Sequence, residues 1–170
     1  MSQENQNPEE KSSAAQLVLQ KIYIKDLSFE SPRPADLFTG QAEPPEISLQ
    51  MNTLVNKLKN DLFEVTLEIT VTAKEKSSEN VYYLIEVKQA GLFTLSGFSD
   101  RDLALTVNSY CPGVLFPYAR EAISGLVERG GFPQLLLAPI NFDAIYQQHL
   151  AKVMQAQEQA SEDSSSSSKH

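Results

Sequence analysis

The sequence predicts an α+β fold: a four-stranded antiparallel sheet followed by two helices. Three observations carry this. LFEVTLEITVTAK (62–74) alternates strictly, with Val65, Leu67, Ile69 and Val71 on one parity and Glu64, Thr66, Glu68, Thr70 and Thr72 on the other. That is the pattern of an antiparallel strand with one face buried and one wet. After Ser99 the apolar spacing switches from every second residue to every third or fourth, the helical period. Strands come first and helices last, which is the segregated order of an α+β domain.

In chain order, Leu17–Phe29 reads as the first strand, with Tyr23, Leu27 and Phe29 on one parity. SPRPADLFTGQAEPPE (31–46) holds four prolines and a glycine, so it is a long loop or crossover rather than a tight hairpin. Ile47, Leu49 and Met51 then alternate with polar residues. After the clear strand at 62–74, KEKSSEN makes a polar turn. VYYLIEVKQAGLFTL follows with Val81, Tyr83, Ile85 and Val87 inward. Its outer face, Tyr82, Leu84, Glu86 and Lys88, is less polar than water requires.

Ser99 with Asp102 three residues on resembles a capping box. Leu103, Val107, Tyr110, Val114, Tyr118, Ala122 and Leu126 form one helical stripe, and Leu115, Ala119, Ile123 and Val127 a second. A surface helix needs one stripe. Two imply cover from two sides, so the sequence predicts a homo-oligomer with the first helix at an interface. Pro112 and Pro117 interrupt the interior and predict a kink near Cys111–Gly113. Gly130 and Gly131 end the helix; an anion nest with Arg129 is the weaker reading. Asn141 is an N-cap for a last helix to about Gln157, with Phe142, Ile145, Tyr146, His149, Leu150 and Val153 as its apolar face. Residues 1–14 and 158–170, rich in polar residues and serine, read as disordered tails around a single domain at 15–157.

Composition narrows function. Of 170 residues 41% are hydrophobic, so a real core is possible, and the net charge of −8 argues against a nucleic-acid partner or an anionic membrane surface. No stretch approaches the ~20 apolar residues that span a bilayer, and residues 1–13 have no signal-peptide core. One cysteine excludes an internal disulfide and suggests a reducing, cytoplasmic setting.

The same residues offer no catalytic centre, metal set or cofactor site. One Cys and two His cannot build a structural zinc site, and no HExxH or phosphate-binding GK[ST] occurs. Cys111 on an apolar helix reads as structural. His149 reads as a packing histidine, and Glu64 with Glu68 as a solvated strand face. What remains is surplus apolar surface, above all RGGFPQLLLAPINFDAIY (129–146), and such surface marks binding sites.

YIKDLSFE (23–30), YLIEVKQAGLF (83–93) and YCPGVLFPYAREAISGLVERGGFPQLLLAPINFDAIY (110–146) closely resemble the SecB family of bacterial export chaperones, across roughly residues 17 to 150. The resemblance implies a dimer of dimers with the first helices sandwiched between the dimers. It implies ATP-independent holding of unfolded precursor proteins and their delivery to the export motor SecA. At matching positions it implies that Asp26, Glu30, Leu84 and Glu86 form the surface that meets the basic, zinc-bearing tail of SecA; the zinc belongs to the partner.

It also implies a client groove between the crossover loop and the last helix. Residues expected there are Leu49, Met51, Phe132, Leu135, Leu137, Phe142, Tyr146 and Leu150. Leu103, Val107, Tyr110, Val114 and Tyr118 are the expected interface. The Ser-rich tail departs from a strongly acidic one, which leaves a tail contact with SecA without support. A SecB-like chaperone of a toxin–antitoxin pair and a small-ligand-binding α+β domain are the alternatives. The SecA-type surface argues against the first, and the lack of converging polar groups against the second.

Overall fold

The structure, a computed structural model, describes residues 14–40, 43–77 and 80–166. In order it contains β1 (Gln16–Glu30), α1 (Pro34–Thr39), β2 (Glu46–Lys59), β3 (Leu62–Lys74), β4 (Val81–Ser96), α2 (Asp100–Leu105), a π-helical turn (Thr106–Tyr110), α3 (Cys111–Arg129) and α4 (Phe142–Ser166). The strands form one four-stranded sheet in the order β1-β4-β3-β2, every neighbouring pair antiparallel.

That order explains the proline-rich segment. β1 and β2 are opposite edges, so residues 31–45 must carry the chain across the end of the sheet. The expected loop contains a short helix, α1, with Pro34 at its first position, where the missing N–H costs nothing. Six residues hold too little periodicity for a sequence pattern to show it.

The helices cover one face of the sheet. Val65, Leu67, Val71, Ala73, Ile85 and Phe93 are fully buried there, and α3 lays Leu115, Ala119, Ile123 and Val127 on them, all at 0% exposure. Burying each large side chain contributes about 1.5–3 kcal/mol. Gly91 makes the close approach possible: a Cβ at that position would lie 2.7 Å from Phe93 Cε2 and 2.9 Å from Leu115 Cδ2.

β1 departs from simple alternation. Its register slips between Leu19 and Lys21 and again between Ile24 and Asp26, so Gln20 and Lys25 are bulge residues. Between the bulges the phase is inverted: Ile22 and Ile24 face the helices, and Lys21 and Tyr23 face away. Tyr23 is therefore on the opposite face from Leu27 and Phe29, contrary to the single parity read from the sequence. A further slip between Ala73 and Lys74 pairs Val81 with Lys74, so Val81 does not continue the inward row of Tyr83, Ile85 and Val87.

Ser99 caps α2 as expected. Its Oγ accepts from the Asp102 amide at 3.2 Å and donates to the Asp102 carboxylate at 2.7 Å. The irregularity expected at Cys111–Gly113 lies just before it, as the π turn. Pro112 has no N–H for the turn that precedes it, and a turn widened by one residue accommodates the ring. The extra residue also shifts the stripe read at a period of 3.6. Val107 is buried at 6%, so it belongs to the core and not to an outer interface, whereas Tyr110 and Tyr118 stand 55% and 51% exposed.

Gly130 and Gly131 close α3 in a Schellman motif. Phe132 N donates to Val127 O at 3.1 Å, Gly131 N to Glu128 O at 3.0 Å, and Gly131 takes φ 83°. Asn141 caps α4 through a 3.0 Å bond to the Ala144 amide. The helical backbone runs to Ser166, past the expected end near Gln157. Residues 1–13 and 167–170 of the expected tails lie outside the described residues.

Candidate functional docking surfaces

Two apolar grooves open on the helix side of the sheet, at the β2 edge. The first, of about 560 Å³, lies between the crossover and the segment after α3, and is walled by Leu37, Phe38, Pro44, Pro45, Ile47 and Leu135. Its floor is aromatic. The Schellman turn delivers Phe132 onto Tyr83 (ring centroids 4.9 Å), Phe38 (5.2 Å) and Phe29 (6.4 Å), and Phe29 stacks on Tyr83 at 6.0 Å. Two bonds pin the crossover to β4 and hold the groove open: Ser31 Oγ to Tyr82 O at 2.7 Å, and Tyr82 Oη to Glu43 O at 3.1 Å. Tyr82, read as outward, is 3% exposed beneath this strap.

The second groove, about 310 Å³, has Met51, Thr53 and Leu67 on the strand side and Phe142, Ile145, Tyr146 and His149 on the α4 side. His149, expected to pack, is an exposed residue of this wall. Ile47, Leu49, Met51 and Thr53 pair with Ala73, Val71, Ile69 and Leu67, so they share the helix-side face of β2. Ile47 serves the first groove, Met51 and Thr53 the second, and Leu49, 37% exposed, stands between them.

The single groove expected from sequence is thus two depressions joined along one strand. Two expected lining residues sit deeper: Leu137 and Phe142 are 9% and 8% exposed and belong to the core cluster, with Phe142 edge-on to Phe116 at 5.8 Å. Leu150, at 36%, lies on α4 beyond the groove wall. The three consecutive leucines divide their roles: Leu135 lines a groove, Leu137 fills the core, and Leu136 is 70% exposed.

A third depression, about 560 Å³, was not legible in the sequence. It lies beside Tyr110, Gly113 and Val114 against Pro139–Asp143. At its base Ser109 Oγ donates to the Asp143 carboxylate, tying the π turn to α4.

The outer face of the sheet is polar and acid-rich. Asp26, Ser28 and Glu30 of β1 stand opposite Lys88, Glu86 and Leu84 of β4, so Asp26, Glu30, Leu84 and Glu86 share one face across adjacent strands. Opposed residues are about 4.5–5.5 Å apart at Cβ. Lys88 leans the other way, 3.4 Å from Glu68 on β3. Farther along, Glu64 accepts from Lys25 at 2.8 Å, from Tyr23, and from Asn56 at 3.3 Å. The Lys25 and Tyr23 bonds hold the Glu64 carboxyl below its ordinary range, while desolvation and then Glu64 push Tyr23 up to about 12.

Among the described residues no group of three or more His, Cys, Asp or Glu is placed to hold a metal ion, and no helix is long and apolar enough to cross a membrane. Cys111 is fully buried, and burial pushes its thiol up to about 12, away from nucleophile chemistry.

Fold and surface together make an α+β scaffold with apolar grooves on the helix side of its sheet and carboxylates on the other face. The chain belongs to the SecB family, matching the preprotein translocase subunit SecB over residues 10–153. It is 49% identical to a protein-export protein SecB of Methylococcus capsulatus over 94% of this chain and 96% of that one. It is 48% identical to the protein-export protein SecB of Marinobacter nauticus (84% and 85% covered) and 47% to that of Legionella pneumophila (90% and 93%). Its fold resembles the Mycobacterium tuberculosis SecB-like chaperone Rv1957, solved with a ChAD peptide from the antitoxin HigA1, at TM-score 0.59 and 17% identity, over 73% of this chain and 90% of that one.

Proposed function

We propose that this chain is an ATP-independent holding chaperone of the cytoplasm that binds unfolded precursor proteins and delivers them to SecA for export. The observation that carries the reading is the pair of apolar grooves along one face of β2. An extended client laid beside this edge strand meets many weak apolar contacts, and several weak contacts on one chain give affinity without sequence stringency. Unpaired β2 backbone groups add hydrogen bonds of the strand-addition kind. Phe132, Leu135, Met51 and Tyr146 touch the client, Leu49 and Leu150 extend the surface, and Leu137 and Phe142 support it from the core.

Asp26, Glu30, Leu84 and Glu86 receive SecA's basic tail. An acidic surface with an apolar centre speeds encounter with a basic partner and fixes its register. Because the two surfaces lie on opposite faces of the sheet, a loaded chaperone can dock without releasing its client. The assembly is a dimer of dimers with the α2–α3 face at its interface. Leu103, Val114 and the exposed Tyr110 and Tyr118 contribute, and they are large apolar groups that a single chain leaves partly uncovered. That the relatives are named for protein export supports the export reading.

The test is refolding of an export-destined precursor diluted from denaturant. Stoichiometric protein should slow it, and hydrogen exchange should show protection at residues 43–53 and 131–149. Unchanged refolding would refute the proposal. Light scattering decides the tetramer, and Glu86→Lys should weaken SecA binding with the assembly intact.

A further inference from the structure

The second β1 bulge residue, Lys25, and Tyr23 two residues before it reach one carboxylate. Tyr23 Oη donates to Glu64 Oε1, and Lys25 Nζ to Glu64 Oε2 at 2.8 Å, with Asn56 Nδ2 adding 3.3 Å from β2. From the opposite face of the sheet, Gln89, 2% exposed, donates its amide to the Tyr23 carbonyl at 2.9 Å. The bulge is therefore held on both faces. A bulge residue falls out of the ladder, so ladder bonds alone do not fix which residue is left over.

Much depends on that choice. Beyond the bulge Asp26, Leu27, Ser28, Phe29 and Glu30 oppose Lys88, Val87, Glu86, Ile85 and Leu84. If the upstream register, Ile24 opposite Gln89, continued without a bulge, Lys25 would oppose Lys88 and Asp26 would oppose Val87. Phe29 would oppose Leu84. A slip of one residue exchanges the faces of the whole segment. Asp26 and Glu30 would turn toward the helices, and Phe29 would leave Tyr83 and Phe132 beneath the first groove.

We propose that Glu64 and Gln89 are positioning residues: by clamping the Lys25 bulge they set the phase of Asp26–Glu30, presenting the carboxylates to a basic docking partner and Phe29 to the groove floor. The docking half of this rests on the SecA reading above. Gln89 is buried on the helix face and cannot touch a partner, so an effect of its loss on docking must pass through β1.

The test uses the full chain with Glu64→Gln, Gln89→Met and a deletion of Lys25. Two readouts are taken: the nuclear Overhauser contact between the Phe29 and Tyr83 rings, and calorimetric affinity for purified SecA. Each substitution should lose the ring contact in most of the folded molecules, and with about 90% of them out of phase SecA affinity falls ~10-fold. Deleting Lys25 leaves Asp26 opposite Lys88 in a regular ladder. That variant should keep the ring contact and the affinity, and should make Glu64→Gln harmless.

A clamp that adds only stability would lower Tm and leave the ring contact intact in both substitutions; that result overturns the proposal. So does a Lys25 deletion that fails to fold or fails to rescue. If Glu86→Lys leaves SecA affinity unchanged, the docking reading fails, and the ring contact still decides the clamp.

Discussion

Glycine to alanine should act with opposite sign inside α3 and at its C-terminal cap. At Gly130 an added Cβ would lie 2.3 Å from Phe29 Cζ and 2.9 and 3.0 Å from its two Cε atoms. The ring would have to retreat by about 1 Å to reach ordinary contact. It cannot do so freely, because Tyr83 stacks on it and Phe132 packs against it at a tilt. Overpacking of this kind costs ~1–3 kcal/mol, while the gain from a stiffer unfolded chain is only about 0.4–1 kcal/mol. The difference is a net loss of about 1 kcal/mol, reaching about 2.6 kcal/mol if the rings cannot yield.

At Gly125, inside α3, the same Cβ meets nothing within 4 Å. There the substitution should stabilise by about 0.5–1 kcal/mol through helix propensity. For a chain of this length each kcal/mol moves Tm by about 2–4 °C. Calorimetry at one fixed concentration should therefore show Gly130→Ala melting a few degrees below, and Gly125→Ala a few degrees above, the parent chain. Equal shifts of one sign would refute the packing argument. A loss confined to Gly125→Ala would show that another copy packs against that face.

Other consequences follow from single features. Ser99→Ala removes the α2 cap and should cost ~1 kcal/mol in denaturant unfolding, with the slope m unchanged. Leu115→Ala, at the contact of α3 with Gly91, should cost about 2–5 kcal/mol. Cys111 is neutral when folded, with its pKa raised from 9.0 to about 12. Its contribution is whole below the unfolded value and is lost as pH climbs through that interval, so Cys111→Ala should flatten the alkaline decline in stability; an unchanged slope would assign the decline to other groups. Tyr146→Glu should reduce client capture more than SecA binding, and the reverse result would exchange the two surfaces.

β3 was legible because it is central and regular: every second side chain meets the core, and alternation survives unbroken. β1 was not, because an edge strand tolerates bulges that reset parity. A trace of this was present, since strict alternation from Leu17 would have turned Lys21 and Lys25 toward the helices. Leu115–Val127 was visible as a stripe, and the structure turns it to the sheet, but Val107 lay across a π turn that no 3.6-residue count anticipates. Gly130–Gly131 told of the helix end, and the apolar run through 146 told of surface beyond it. The division of that surface into two grooves depends on how the crossover lies over β4, which only the tertiary structure contains.

Ile47 and Met51 stand four residues apart on one face of β2, which at a strand's rise is about 13 Å. A bound polypeptide must therefore stretch over at least ~4 residues before it can fill both hollows at once. A folded segment can span this distance, but its apolar side chains are already turned into its own core, whereas an opened strand offers them along its length. On the proposed client reading, two hollows set that far apart favour drawn-out chains with uncovered apolar side chains over folded ones.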